Sequence, residues 1–175
     1  ILQRACGIAT LTHRFVKLVS HTKAKILDTR KTAPGLRFID KYSVKCAGAV
    51  NHRFGLNDMV MIKDNHIDRA GSITKAVNLV RSSEFKEIPI EVECRTIEDV
   101  KECLNLNIDR IMLDNMDNGT MRKCVSIVNE NTPLEASGGI NLDTIKDVAE
   151  TGIDYISIGA LTHSVKALDI SMKFF

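Results

Sequence analysis

Short apolar runs alternate with longer segments of helical periodicity along most of the chain. Each run is rich in Val, Ile, Leu or Met and ends in a polar cluster, after which a helical pattern begins. Nearly continuous apolar strands that alternate with helices are typical of a parallel sheet covered by helices. The predicted strands are Lys25–Asp28, Met59–Ile62, Ile90–Cys94, Arg110–Asp114, Leu134–Ser137 and Tyr155–Ile158. The predicted helices, after an opening helix, are roughly Phe38–Cys46, Ile73–Arg81, Ile97–Leu104, Asn118–Asn129 and Leu142–Glu150.

Six strand–helix units of this kind predict an α/β fold, a TIM-like (β/α) barrel with parallel strands and outer helices. The alternative is an open Rossmann sheet, which we disfavour because no Gly-rich dinucleotide fingerprint follows the first strand. A complete barrel of this type has eight strands, so we expect this one to be open or incomplete.

The opening helix has an apolar stripe that is already under way at the first residue. Because the chain also lacks an initiator Met, we expect a fragment, with residues 1–175 forming one catalytic barrel domain. At 175 residues and 44% hydrophobic content, the chain can bury one sizeable core. The stripe comprises Ile1, Leu2, Ala5, Ala9, Thr12, Phe15, Val16 and Val19.

The net charge of +2 conceals two halves of opposite sign. Residues 1–70 hold 13 Lys and Arg against 5 Asp and Glu, whereas residues 71–175 hold 11 against 17. The cations stand singly at predicted strand ends and aromatic residues are only 5%, which argues against a nucleic-acid partner. There is no apolar run of membrane-spanning length and no leader-like segment, so we predict no membrane partner and a cytoplasmic location.

Five scattered cysteines contain no CxxC pair and no zinc-ligand spacing. We predict reduced, mostly buried thiols in a reducing compartment. Cys94, beside the pair Glu91 and Glu93, is an alternative candidate for a nucleophile, although no adjacent base is apparent.

Basic side chains follow the first two predicted strands, at the edge where the active sites of parallel barrels lie. Arg30 and Lys31 come directly after the first strand, His52 and Arg53 occupy a Gly-flanked loop, and Lys63 follows the second strand. Arg offers a two-pronged donor set and Lys a compact charge, which suits carboxylates or phosphates. A solvated basic loop is the alternative for each cluster taken alone.

Acidic side chains mark the third and fourth strands. Glu91 and Glu93 alternate with apolar residues and so share one face of their strand, and Asp114 ends the next one. Such a carboxylate set suits Mg²⁺, which prefers oxygen ligands. Salt bridges to Lys31 and Lys63 across the barrel are an alternative, and both readings can hold together.

Glycine-containing turns end the last two strands. Ser137-Gly138-Gly139 is followed by cap-type residues of a helix, and Gly159 with His163 repeats the device on the next strand. Backbone N–H groups of such turns, together with a helix N-terminus, make a phosphate cradle. Two of them on consecutive strands match the phosphate site of barrel enzymes.

Together these motifs resemble one family, quinolinate phosphoribosyltransferase, also called nicotinate-nucleotide pyrophosphorylase (carboxylating). They occur in family order over nearly the whole chain. The motifs are Gly7-Ile8-Ala9-Thr10, Asp28-Thr29-Arg30-Lys31-Thr32 with Pro34-Gly35, Asn51-His52-Arg53, Ile62-Lys63-Asp64-Asn65-His66, Glu91-Val92-Glu93, Leu113-Asp114-Asn115, Glu135-Ala136-Ser137-Gly138-Gly139-Ile140 and Ser157-Ile158-Gly159-Ala160-Leu161-Thr162-His163.

The resemblance implies a Mg²⁺-dependent enzyme of NAD biosynthesis. It would join quinolinate to phosphoribosyl pyrophosphate and release pyrophosphate, CO₂ and nicotinate mononucleotide. The residues implied to grip the quinolinate carboxylates are Arg30, His52, Arg53 and Lys63, with Lys31 and Thr32 beside them. Those implied to hold Mg²⁺ and the ribose pyrophosphate are Glu93 and Asp114, and those implied to cradle the phosphate are Ser137, Gly138, Gly139 and Gly159, with His163 near. The residues expected to act in catalysis are Lys31, Lys63, Glu93 and Asp114.

The resemblance also implies an open barrel preceded by a separate N-terminal domain, in a homodimer where that domain covers the partner's barrel and contributes an arginine. Two other functions stay open on the sequence. One is a related phosphoribosyltransferase-like protein that acts on another acid, such as the molybdenum-locus homologue. The other is a non-catalytic anion-binding barrel fragment.

Overall fold

The structure, a computed structural model, describes residues 1–175 and contains one six-stranded parallel sheet. The strand order is β1-β6-β5-β4-β3-β2, so β1 and β2 form the two edges and the sheet does not close into a complete barrel. This confirms the predicted open, TIM-like α/β architecture. The strands are β1 Lys25–Leu27, β2 Val60–Ile62, β3 Ile90–Cys94, β4 Arg110–Asp114, β5 Leu134–Ser137 and β6 Tyr155–Ser157.

Eight helices connect and cover the strands. Six lie where the sequence predicts helices, and the ends of those with predicted bounds differ by no more than one residue, except at the start of α7, where they differ by three. The helices are α1 Leu2–Val19, α2 Arg37–Cys46, α3 Asp64–Ala70, α4 Ile73–Arg81, α5 Ile97–Cys103, α6 Asn118–Val128, α7 Ile145–Ala149 and α8 Ala160–His163. The short helices α3 and α8 were not predicted, because each directly follows a strand end whose polar residues are typical of a loop.

The core lies between the sheet and its helices, and it includes Thr12, Phe15 and Val19 from the second half of the stripe predicted for α1. Ile8 and Phe15 are buried, whereas Ile1 is 79% and Leu2 is 64% exposed, so the start of the predicted stripe is wrong. Gly7 allows close packing, because an added Cβ there would lie 2.3 Å from the carbonyl oxygen of Lys166. None of the eight helices combines the length and the hydropathy of a membrane-spanning segment.

The segment between α2 and β2 is attached to the outer edge of β1. Val50 makes a parallel bridge to Leu27 of β1, and its N–H donates to the carbonyl oxygen of Ile26 (2.9 Å). This bridge carries the chain along the edge of β1 and delivers His52 and Arg53 to the carboxyl end of the sheet.

Candidate active site

A polar cavity of about 400 Å³ opens at the carboxyl ends of the strands. Eight of the residues predicted for the site line it, namely Arg30, Lys31, His52, Arg53, Lys63, Glu93, Asp114 and Ser137. The other lining residues are Thr29, Met61, Met112, Glu135 and Ser157. Five predicted residues do not line it, and these are Thr32, Gly138, Gly139, Gly159 and His163.

The loop that carries Arg30 and Lys31 is fixed from below by buried side chains. The hydroxyl of Thr162 donates to the carbonyl oxygen of Lys31 (2.8 Å), and the backbone N–H of Ala33 donates to Asp40 Oδ2 (3.1 Å). Asp40 is fully buried and receives two hydrogen bonds from Arg4, each 2.8 Å long. The loop therefore presents its cations from a fixed backbone, which lowers the entropic cost of binding an anion.

Asp28, at the start of this loop, is a structural residue. It is fully buried, pairs with Lys41 and accepts hydrogen bonds from the backbone N–H of His52 (2.8 Å) and from Asn51 Nδ2 (2.7 Å). Burial is the main cause that raises the pKa of Asp28, while the hydrogen bond from Lys41 opposes it. The pair ties the end of β1 to the loop that bears His52 and Arg53.

Two guanidinium groups stand close together in the cavity. Arg53 Nη1 is held by the carbonyl oxygen of Met59 (2.9 Å), and both burial and the neighbouring charge of Arg30 lower the pKa of Arg53. Arg30 Nε is a buried donor without any partner in the protein. A buried donor left unpaired costs about 1–3 kcal/mol, which an anionic ligand would recover.

The carboxylates at the strand ends are held by polar neighbours. Lys63 Nζ lies 3.0 Å from Glu93 Oε2, which confirms one of the salt bridges considered from the sequence, while Lys31 takes part in none. Asp114 Oδ2 accepts a hydrogen bond from Asn115 Nδ2 (2.9 Å). We refer to Arg30, Lys31, Arg53, Lys63, Glu93 and Asp114 as the mouth residues.

A second set of charged groups lies deeper in the barrel, and we call it the floor cluster. His52 Nε2 lies 3.0 Å from Glu91 Oε2 and 3.5 Å from Glu135 Oε2, and Arg110 Nη1 lies 3.0 Å from Glu135 Oε2 and 4.0 Å from Glu91 Oε1. Glu91 therefore pairs with His52 and Arg110, and its predicted bridge to Lys31 or Lys63 is wrong. The cluster consists of His52, Glu91, Arg110 and Glu135.

Burial dominates the protonation of the floor cluster. It lowers the pKa of His52 and raises the pKa of Glu91, and together with the charge of Glu91 it raises the pKa of Glu135 to about 7. His52 Nδ1 accepts the backbone N–H of Arg53 (2.7 Å), so the neutral ring carries its proton on Nε2, toward the two carboxyl groups. His52 lines the cavity with its ring held in this way.

Two groups of side chains offer ligands for a metal ion. In the floor cluster the ligand atoms of His52, Glu91 and Glu135 lie within 4.8 Å of one another, but the guanidinium of Arg110 already supplies a cation there. At the mouth, Glu93 and Asp114 are oxygen donors that open on the cavity, which fits Mg²⁺ better because this ion keeps waters and shares ligands with phosphates.

The two glycine turns lie beside the cavity, and the helix expected to complete the first one is not there. α7 begins only at Ile145, and Asn141 instead forms a local turn with Thr144, so the predicted helix N-terminus next to Gly139 is wrong. Gly138 has φ of 98° and touches Asn115, whose Oδ1 would lie 2.1 Å from an added Cβ. The backbone of Gly138 and Gly139 is left as the donor set of this turn.

Gly159 allows a close approach at the start of α8. A Cβ there would meet the His163 ring at 3.0 Å and Lys31 Cδ at 3.4 Å. The second turn therefore brings Gly159, His163 and Lys31 together, although neither Gly159 nor His163 lines the cavity.

All five cysteines are free thiols. Cys94, Cys103 and Cys124 are buried, which confirms the prediction of mostly buried thiols for these three, while Cys6 is partly exposed and Cys46 is exposed. Cys94 Sγ lies 3.5 Å from Cys103 Sγ. The hydrogen bond with Cys103 and burial raise the pKa of Cys94, so this thiol stays protonated and the alternative of a nucleophile at Cys94 is wrong.

The sequence reasoning missed several residues of the cavity and its floor. Met61, Met112 and Glu135 each precede a predicted mouth or turn residue by two positions, and period-2 alternation along a strand places them on the same inward face. Applying that period backward from Lys63, Asp114 and Ser137 would have found them. The same period, continued to the first position of β4, would also have found Arg110.

The comparisons with known proteins agree over nearly the whole chain. Residues 8–173 match the family model for quinolinate phosphoribosyl transferase, C-terminal domain. Nicotinate-nucleotide pyrophosphorylase [carboxylating], chloroplastic, of Oryza sativa is 50% identical over 190 residues, and the probable nicotinate-nucleotide pyrophosphorylase [carboxylating] of Bacillus subtilis is 47% identical over 172 residues. Both alignments cover 98% of this chain but only 51% and 60% of the respective relative. The chain thus spans between half and three fifths of their length.

A solved structure gives the same result. The nicotinate-nucleotide pyrophosphorylase from Ehrlichia chaffeensis superposes with a TM-score of 0.91 at 48% sequence identity. The match covers 95% of this chain and 61% of that one. The open parallel sheet with its helices is thus shared with an experimentally solved protein.

Proposed function

The chain belongs to the quinolinate phosphoribosyltransferase family, and we propose that it carries the site that transfers a phosphoribosyl group to quinolinate. The products are nicotinate mononucleotide, CO₂ and pyrophosphate, in de novo NAD biosynthesis, and the enzyme is a pentosyltransferase. The observation that carries the proposal is the cavity itself, where four cations and three carboxyl groups line one space of about 400 Å³. Two polyanionic substrates need such dense fixed positive charge to be held side by side.

We assign quinolinate recognition to three cations that line the cavity, Arg30, Arg53 and Lys63. The charges of Arg30 and Arg53 repel each other, and a ligand dianion would relieve this repulsion and accept a hydrogen bond from Arg30 Nε. Lys63 reaches the same space and exchanges its bond to Glu93 for one to a substrate carboxylate. The neutral ring of His52 lines the cavity. Thr32 supports the loop, because its hydroxyl oxygen accepts a hydrogen bond from Arg37 Nε (3.2 Å).

Glu93 and Asp114 are the residues we assign to Mg²⁺ and the ribose pyrophosphate. When bound, Mg²⁺ neutralises the charge that develops on the departing pyrophosphate. Lys31 and Lys63 supply further positive charge to the leaving group, and the two carboxylates stabilise the cation-like ribose. These four residues are therefore the proposed catalytic groups.

The glycine turns are assigned to the 5′-phosphate end of the ribose donor. Ser137 lines the cavity and supplies a hydroxyl, and Gly138 and Gly139 supply backbone N–H groups in a left-handed turn that a Cβ would block. Gly159 and His163 approach from the opposite turn, next to Lys31.

We also propose a homodimer and a cytoplasmic location. Phe38 and Tyr42 stack on the outer face of α2, 72% and 60% exposed, which supports a surface covered by another protein chain. The five free thiols support a reducing compartment. Sedimentation of the intact protein tests the first proposal, and fractionation of its source cells tests the second.

The function is tested by measuring release of labelled CO₂ from the carboxylate of quinolinate that is adjacent to the ring nitrogen. We expect release only when the intact protein, phosphoribosyl pyrophosphate and Mg²⁺ are all present. Asp114→Asn should raise the Mg²⁺ concentration needed for half-maximal rate, while Asp143→Asn, an exposed change outside the cavity, should not. Release without the ribose donor, or none with all components, would contradict the proposal, and transfer to a different acid would point to the related phosphoribosyltransferase.

A further inference from the structure

The floor cluster contains more unpaired polar atoms than the rest of the protein together. Six buried side-chain atoms make no hydrogen bond, and four of them belong to the cluster: His52 Nε2 and Glu91 Oε2, which lie 3.0 Å apart but are not aligned for a hydrogen bond, together with Glu91 Oε1 and Glu135 Oε1. Buried acceptors are normally paired, so each exception calls for a physical explanation.

The charges of the cluster do not balance without a proton. Glu91 and Glu135 bring two carboxyl groups with fully buried side chains, while Arg110 brings one permanent positive charge and the buried ring of His52 is neutral. Two buried carboxylates around one guanidinium leave a net negative charge in a medium where an uncompensated charge is costly. One additional proton makes the cluster neutral and gives one unpaired oxygen a hydrogen to donate.

Glu135 is the carboxyl group of the floor cluster that lines the cavity in which we propose that the ligand binds. Both Glu135 and His52 line the cavity, whereas Glu91 does not. We propose that binding of the quinolinate dianion in the cavity is coupled to the uptake of one proton at Glu135, where His52 Nε2 and Arg110 hold the carboxyl group. This inference rests on the proposed function, because it needs the dianion to enter this cavity.

The physical reason is electrostatic. An anion beside an ionised carboxylate in a cavity of low dielectric constant is repelled, and protonation of that carboxylate removes the repulsion. With its pKa at about 7, Glu135 is mostly ionised at pH 7.5 in the free protein, so the ligand has a proton to recruit. The charged and polar groups that face it are Glu91 on β3, Arg110 on β4, Ser157 and Tyr155 on β6, and His52 from the loop beside β1.

Calorimetric titration of quinolinate into the intact protein measures this uptake. The titration is repeated at pH 7.5 in HEPES, imidazole and Tris, and the slope of the observed enthalpy against the ionisation enthalpy of the buffer gives the number of protons bound. A group with a pKa of about 7 is roughly three quarters ionised at this pH, so we expect an uptake of up to about three quarters of a proton per ligand.

Glu135→Gln should bring the slope close to zero while quinolinate still binds. The matched control is Glu150→Gln, the same change at an exposed position, which should leave the slope unchanged. A zero slope in the unmodified protein, or an unchanged slope in Glu135→Gln, would overturn the inference.

A second measurement covers the case in which Glu135→Gln does not fold. In the unmodified protein the affinity for quinolinate should fall as the pH rises above about 7, with a slope of log Kd against pH that matches the calorimetric proton number, and a flat profile overturns the inference. Absence of any quinolinate binding would instead count against the proposed function, so the two failures are distinguishable.

Discussion

Glu91 and Glu93 stand two residues apart on the same face of β3, yet they behave as members of two different regions. The side chain of Glu93 is 13% exposed and pairs with Lys63 at the mouth, whereas Glu91 is fully buried among His52 and Arg110. Two strand residues correspond to a difference in depth of roughly 6–7 Å. Over that distance a solvent-screened ion pair is replaced by a buried network.

The difference shows how one barrel combines binding with rigidity. Mouth pairs in contact with water contribute little to stability and can be exchanged for bonds to a ligand. Charges of the floor cluster are expensive to expose or to leave unpaired, so they stay in place and fix the surfaces above them. The predictions below test this division, beginning with the largest expected effect.

Removal of the guanidinium from the floor should be the most damaging single change. In Arg110→Ala two buried carboxyl groups lose their only permanent cation, and we expect the free energy of unfolding at pH 8 to fall by about 3–5 kcal/mol. The control is Arg95→Ala, whose exposed pair with Asp68 should be worth less than about 1 kcal/mol. Urea denaturation measures both, and equal losses would remove the distinction between the regions.

The stability of the floor should depend on pH through Glu135. Its pKa in the folded protein, about 7, lies above the ordinary 4.5, so the folded state binds this proton more tightly than the unfolded chain. The resulting stabilisation is complete below about pH 4.5 and is lost as the pH rises through 7, by at most about 3 kcal/mol.

Glu135→Gln should abolish that part of the pH dependence, which urea denaturation between pH 5 and pH 8 would reveal as a flatter curve than that of the unmodified protein. Because the pKa of His52 is lowered in the folded protein, this residue lowers the free energy of unfolding as the pH falls below its ordinary value of 6.5. This effect is present in both proteins. The free energy of unfolding of the unmodified protein minus that of Glu135→Gln should fall as the pH rises. An increase of this difference with pH would contradict the assignment.

At the mouth, the loss of a cation should affect binding far more than folding. Arg53→Ala removes a charge-assisted contact to a carboxylate, worth about 1.5–3 kcal/mol, which weakens quinolinate binding by about 10- to 150-fold. Binding of phosphoribosyl pyrophosphate should change much less. Titration of each ligand separately checks this, and equal losses for both would argue against a dedicated quinolinate region.

The smallest effect on stability is expected for Glu93→Gln. Its partner Lys63 is 46% exposed, so the free energy of unfolding should change by less than about 1 kcal/mol. The same variant should need more Mg²⁺ for half-maximal activity, because a carboxylate ligand is lost. A large loss of stability with an unchanged Mg²⁺ requirement would place Glu93 in the structural region.

The sequence predicted the mouth much better than the floor. The six strands were found because buried parallel strands are short, continuous apolar runs, and the residues that follow them meet at one edge by topology alone. Arg110 and Glu135 could not be paired in this way, because their contact depends on the register between β4 and β5 and on the depth of each side chain in the barrel.

Short polar segments also gave wrong predictions where the same residues can form either a helix or a turn. The polar stretch after Ile62 is typical of a loop, yet it forms α3, in which the backbone N–H of Lys63 donates to His66 Nδ1 (2.9 Å). Asn141 and Thr144 are typical of a helix start, yet they form a turn that delays α7 to Ile145. Such choices are made by tertiary packing, which short sequence windows do not contain.

A crystal structure of the intact protein with quinolinate bound tests the central claim most directly. We predict both carboxylates of the ligand within hydrogen-bonding distance of Arg30, Arg53 or Lys63, with Lys63 released from Glu93 and Arg110 still bound to Glu135. Quinolinate bound outside this cavity, or bound in it with Arg110 displaced from Glu135, would contradict the account.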